Sequence, residues 1–365
     1  MWQWLSRLFS GAPQTGSGRQ RTGAAQAPRA NPAHRIHARA NLNAQDLGPS
    51  EVTVESHFPD PEQISTLFYQ KLLNASDSDR NVSQTLTAPE IAWLKKRTED
   101  LKETPTRLTS FVPRLPNILP KLMNALKDPS TPIRTLTDLI ESDAVIATQV
   151  LRLINSPAMR IRHDNITSIE QAVILLGFSG MREVVAAAMF SPIAVSKPVS
   201  GINPLLIHDI WPVSLRAANA LRLALKHKPG PSEESALPHV DENLSFDLYL
   251  SVLLEHTGLF ALLHQGALNG PYISPAYLKQ FRALIPTYSA RIAQAWGMPE
   301  NTLRLICSPP PHLYHLRREA RYFSLACVLH RRGYLDQAQF LHLTRALPAY
   351  AEDWYDLCIS THEES

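Results

Sequence analysis

Between residues 111 and 190 helix start and stop signals recur at short intervals, and that punctuation constrains the fold more than composition does. Thr131 is a good N-cap, with Pro132 at the first helical position, where a missing N–H costs nothing. Asp143 can cap the next helix, which sets Val145, Ile146, Val150, Leu153 and Ile154 at spacings near 3.6 as one apolar stripe. Asn155-Ser156-Pro157 ends it, because proline cannot continue a helix and restrains the residue before it. Thr167 and Glu170 fit a capping box, and Gly177 sits where a left-handed residue is wanted after Leu175-Leu176. Ser179 then opens a further helix rich in Val, Ala and Met. This pattern predicts short amphipathic helices, with Val150, Leu153, Ile154, Val173, Leu176 and Val184 buried.

The order RLPNIL, LKDPS, ESDAVIATQVLRLINSP, ITSIEQAVILLGF, MREVV resembles the opening of the HD-related output domain (HDOD) family of bacterial signalling proteins. The resemblance covers about residues 109–310. It implies an all-α fold, an HD-like multi-helix domain on the scaffold of metal-dependent phosphohydrolases. Around it lie a helical extension at 58–108, helices at 311–365 that pack on the domain, and an N-terminal tail at 1–57.

In the family frame the metal-ligand positions are altered. Where Trp-x-His-Ser is usual, the chain reads Trp211-Pro212-Val213-Ser214. Where Leu-Leu-His-Asp-x-Gly is usual, it reads Leu253-Leu254-Glu255-His256-Thr257-Gly258. Ile285 stands at a later His position ahead of Trp296-Gly297-Met298-Pro299, and Pro309-Pro310 stand where a closing His-His pair would fall. A hydrolytic metal site needs several converging His or carboxylate ligands and an open position for water. Val, Ile and Pro side chains offer no donor. Glu255 and His256, read as neighbours on one helix, should point about 100° apart. The expectation is a degenerate site with no metal and no cofactor, on a non-catalytic regulator. A phosphohydrolase with a rebuilt site is the alternative.

Two other pairs compete. His208-Asp209 is a literal HD dipeptide in the wrong place, better read as a helix-start His with Asp as cap. His312 and His315 could share a helix face as displaced ligands, or be surface histidines beside Arg317 and Arg318. A nucleic-acid binder would need Arg152, Arg160, Arg162 and Arg182 on one basic face. Against it, residues 1–45 hold six Arg and no acid, so the rest of a chain of net charge +3 carries slightly more acids than bases. No nucleic-acid partner is expected; a protein partner in a signalling pathway is.

Cys307, Cys327 and Cys358 are odd in number and widely spaced, as for reduced thiols of a cytoplasmic protein. No apolar run reaches the roughly 18–20 residues of a spanning helix. Residues 10–50 are rich in Gly, Ala, Pro, Gln and Arg and should lack fixed structure. Ahead of them MWQWLSRLF sets Trp2, Leu5, Leu8 and Phe9 on one helical side with Trp4 near its edge, a pattern suited to a partner's groove or to peripheral contact with the inner membrane. Thr87 and Glu90 form a second candidate capping box, between two helices expected over 61–103.

Overall fold

A computed structural model describes residues 61–75, 85–112, 115–128, 130–156, 165–191, 198–227, 240–345, 347–351, 353, 354 and 357. All belong to one compact unit, Phe58–Ser365. The expectations for Trp2, Trp4, Leu5, Leu8, Phe9 and the linker lie outside the described residues, as do Arg160, Arg162 and Cys358. The fold is all-α, and no strand occurs among the described residues.

The helices run α1 (Pro61–Leu72), α2 (Ala88–Asp100), α3 (Pro105–Leu108), α4 (Leu119–Lys127), α5 (Ile133–Glu141), α6 (Ala144–Ile154) and α7 (Ile169–Phe190). They continue with α8 (Pro204–Lys226), α9 (Glu242–Leu253), α10 (Thr257–His264), α11 (Pro275–Ala295), α12 (Glu300–Cys307), α13 (Pro311–Arg331) and α14 (Gln337–Arg345).

Local chemistry sets these ends, sometimes one residue from where the sequence suggests. Asp143 caps α6 by accepting from the Val145 and Ile146 amides at 3.0 and 3.2 Å. At α7 the cap is Ser168, which accepts from the Gln171 amide at 3.1 Å; Gln171 reaches back to the Thr167 amide. The expected Thr167–Glu170 box is therefore shifted by one, because Gln171 is as able a partner as Glu. At α5 the N-cap is Pro132, not Thr131. Glu90 of the second box accepts from the Thr87 amide at 2.7 Å and also binds the amide and hydroxyl of Ser274, tying α2 to the start of α11. Gly177, at φ +65°, lets α7 change direction and resume at once.

Val150, Leu153, Ile154, Val173 and Val184 are buried as expected. Leu176 is only half-buried, beside the Gly177 kink, and Val145 is 46% exposed because it lies in the first turn of α6. By length and hydropathy Ile169–Phe190 and Glu242–His264 reach spanning size, contrary to the sequence expectation. Both are interior elements, 67% and 94% buried over their apolar windows.

The helix that organises the site is α8, which packs on α13, α9 and α1. On the other side α10 packs on α11, and α11 on α12. The N-terminal extension joins this core: Ile64, Phe68 and Leu72 of α1 are fully buried, and α1 packs on α13. The C-terminal end closes it, with buried Trp354 against Phe323 of α13 at 5.6 Å between ring centroids.

Candidate functional site

Glu255 and His256 occupy the turn between α9 and α10, not a helix, and this brings their side chains together. His256 Nδ1 lies 3.8 Å from Glu255 Oε1, and both residues are buried. The expectation of side chains pointing well apart is thus overturned by the turn. Gly258 explains why the turn can press on α11. A Cβ there would fall 2.5 Å from the Ile285 carbonyl oxygen and 2.6 Å from the Ser289 amide, so only glycine fits. Ser289 Oγ fastens the contact, donating to the Glu255 carbonyl at 2.6 Å and accepting from the Gly258 amide at 2.8 Å.

From α8, Ser214 Oγ meets His256 Nδ1 at 2.9 Å, and the neighbouring Val213 is fully buried, its carbonyl accepting from Ser324 Oγ of α13 at 2.7 Å. Ser214 thus brings α8, with Val213, to His256 and Glu255, while the Ile285 backbone lies against Gly258 at the end of the same turn. Pro309 and Pro310 are half-buried at the head of α13, Pro310 being its N-cap.

The central partner of Glu255 was not legible as such. Arg317 Nη2 donates to Glu255 Oε2 at 2.9 Å, and its Nη1 donates to the Leu305 carbonyl. Arg317 is 7% exposed, whereas His315, two residues earlier, is exposed. Arg321, one turn on, has Nη1 3.8 Å from Glu255 Oε1. Burial would push the Glu255 carboxyl up, but Arg321, His256 and Arg317 outweigh it and hold it below the usual carboxylate range. The help from His256 requires its charged form. Burial pulls His256 down to about 4, with Glu255 opposing and the two arginines adding to the effect, so it is neutral near pH 7. The guanidinium groups supply the compensating charge.

The donor set does not fit a metal ion. Val213 and Ile285 carry no lone pairs, one Glu255 oxygen already accepts from Arg317, and His256 Nδ1 is held by Ser214. Among the described residues no group of three His, Cys, Asp or Glu could hold one.

The literal HD dipeptide lies elsewhere. Asn203, not Asp209, caps α8. Asp209 is buried in the helix body and accepts from Arg331 and Arg332. Arg182, named for a basic face, is buried, its guanidinium 4.2 Å from the Phe246 ring centroid.

Residues 112–265 match the family model of the HDOD domain. The chain carries an HDOD domain. Among solved structures, an HDOD domain protein from Geobacter sulfurreducens matches at 18% identity over 75% of this chain and 93% of its own, with a TM-score of 0.46. A candidate metal-dependent phosphohydrolase from Shewanella amazonensis SB2B matches at 15% identity over 75% and 99%, TM-score 0.47. A candidate signal transduction protein from Marinobacter aquaeolei VT8 matches at 18% over 78% and 66%, TM-score 0.47. A comparison with curated proteins gives no match. The HDOD segment contains Val213, Glu255 and His256 but ends before Ile285 and Arg317.

Proposed function

We propose that this chain is a non-catalytic signal-transduction protein whose HDOD domain works by contact with a protein partner or by holding a small ligand at the altered HD site. The observation that carries the proposal is the buried Arg317–Glu255 pair. A guanidinium supplies the positive charge that a metal would otherwise bring to this carboxylate. Without a metal there is no agent to lower the pKa of a water molecule to near 7, and the Ser214 hydroxyl that meets His256 Nδ1 is buried, away from a substrate. Fold alone does not assign chemistry, so the weight rests on these residues.

The test uses the full chain purified without added metal. Metal content well below stoichiometric, and no hydrolysis of bis(p-nitrophenyl) phosphate with Mn²⁺ or Mg²⁺ supplied, are the expected results. Stoichiometric metal lost in Glu255→Gln, or phosphodiesterase activity lost in that variant, would overturn the proposal in favour of a phosphohydrolase with a rebuilt site.

A further inference from the structure

Arg321 is the cation of this cluster that the fold leaves incompletely used. Arg317 and Glu255 already neutralise each other, and His256 is uncharged near pH 7. Arg321 is therefore a surplus positive charge. Its closest carboxylate oxygen, Glu255 Oε1, is 3.8 Å away, beyond hydrogen-bond distance. That oxygen is itself buried and accepts no hydrogen bond among the described residues. The side chain of Arg321 is 34% exposed against 8% for Arg317, so its guanidinium opens to solvent where Arg317 does not.

The neighbouring arginine is a useful contrast. Arg282 donates to Ser65 and Thr66 hydroxyls at 3.0 and 2.9 Å and pairs with Glu62 at 2.7 Å. No comparable set of acceptors among the described residues engages Arg321. Tyr314, Arg317 and Arg321 follow one another at spacings of three and four on α13, which puts them on one face. Along that face the buried ion pair lies between a half-exposed tyrosine, Tyr314 at 46%, and the partly exposed Arg321. Tyr69, Tyr314 and Glu62 lie within electrostatic reach of Arg321, and Glu62 is paired with Arg282 at 2.7 Å, so the surplus charge remains.

We propose that Arg321 and Tyr314 form a binding site for a small organic molecule bearing a singly charged oxyanion, the oxyanion on the guanidinium and a flat apolar body against the tyrosine ring. One surplus positive charge calls for one negative charge. The planar guanidinium presents paired N–H donors that match a carboxylate or a phosphate ester, and Glu255 behind it keeps the arginine charged. This inference rests on the non-catalytic function proposed above, in which no metal competes for Glu255.

The experiment measures thermal unfolding of the full chain with sodium benzoate, inorganic phosphate or sodium chloride at matched ionic strength. Benzoate is expected to raise Tm over chloride by about 2–4 °C at saturating concentration. Phosphate, which lacks a flat body, should raise it less. Arg321→Gln should abolish both shifts. Tyr314→Ala should reduce the benzoate shift to the phosphate level. Arg332→Gln, on the distant Asp209, should change neither. No benzoate shift in the wild type, or a shift kept in Arg321→Gln, overturns the inference. Failure of the underlying function is read separately, as metal content and phosphodiesterase activity in the same preparation.

Discussion

Two buried carboxylates are each held by two arginines of α13 and its C-cap, and they are held differently. Asp209 accepts three hydrogen bonds, two from Arg332 at 2.7 and 3.1 Å and one from Arg331 at 2.5 Å. Its arginines are 26% and 28% exposed, so water completes their solvation. The Glu255 carboxylate accepts one hydrogen bond, from an arginine that is 8% exposed, and its second oxygen accepts none among the described residues. Both acids lie beside a histidine. The literal His208-Asp209 dipeptide is thus a saturated fastener between α8 and the end of α13. The altered Glu255-His256 dipeptide keeps unspent hydrogen-bonding capacity in a dry setting. The site proposed at Glu255 rests on this left-over capacity and not on the presence of a literal His-Asp pair.

The contrast is broken most sharply by removing one arginine from each cluster. Arg317→Met should cost about 3–5 kcal/mol, because it strands a buried carboxylate whose other guanidinium stands off at 3.8 Å. Chemical denaturation of the full chain checks this. A loss below about 1 kcal/mol would mean that the Glu255 pair is as well solvated as the Asp209 one.

Acid should act on the Glu255 side first. The folded state holds His256 down to about 4, whereas an unfolded His titrates near about 6.5. As pH falls below about 6.5 the unfolded chain takes up a proton that folded His256 refuses. Stability is therefore full above that pH and is lost progressively down to about 4, by up to ~3 kcal/mol. Glu255, also depressed, adds its loss below about pH 4.3, where the unfolded carboxylate begins to protonate and the folded one does not. His208 is lowered by burial as well, so the measurement compares wild type with His256→Gln. A flatter stability profile between pH 6.5 and 4 in the variant is expected; an unchanged one would remove His256 from the account.

Much of the fold was legible because helix ends are written locally, in Asp143, Thr87, Glu90 and Gly177. Two errors were of one residue, at Thr131 and Thr167, where a neighbour could cap as well; a third, Asp209 read as a cap, lies six residues past the Asn203 cap of α8. The site was legible only where the family frame reached. The frame pointed to Val213 and Glu255, which the turn and α8 bring near one another through His256 and Ser214, but what stabilises Glu255 was missed. Arg317 was noted only as a neighbour of His312 and His315. Its spacing from Leu313, Ala320 and Ser324, all buried on α13, puts it on the inner face of that helix, and this signal could have found it. Ser214 and Ser289 left no comparable trace, since a serine's partner is set by tertiary packing and not by its own spacing.

Gly258→Ala should have the next effect, about 1–3 kcal/mol, since the new Cβ meets α11 backbone that cannot swing aside as a side chain could. The smallest change belongs to the saturated cluster. Arg332→Ala removes two of the three hydrogen bonds to Asp209, yet Arg331 still donates to the same oxygen, Oδ1. Both arginines reach solvent, so water can take up the vacated positions, and the loss should be about 1 kcal/mol. Salt separates the two clusters further. Raising ionic strength should weaken the Asp209 pairing, whose cations reach solvent, and leave the Arg317–Glu255 pairing nearly unchanged. The stability difference between wild type and Arg332→Ala should therefore shrink between low and high salt, while that for Arg317→Met stays constant. Equal salt sensitivity in the two variants would show that the clusters share one environment and that the distinction drawn between fastener and site is wrong.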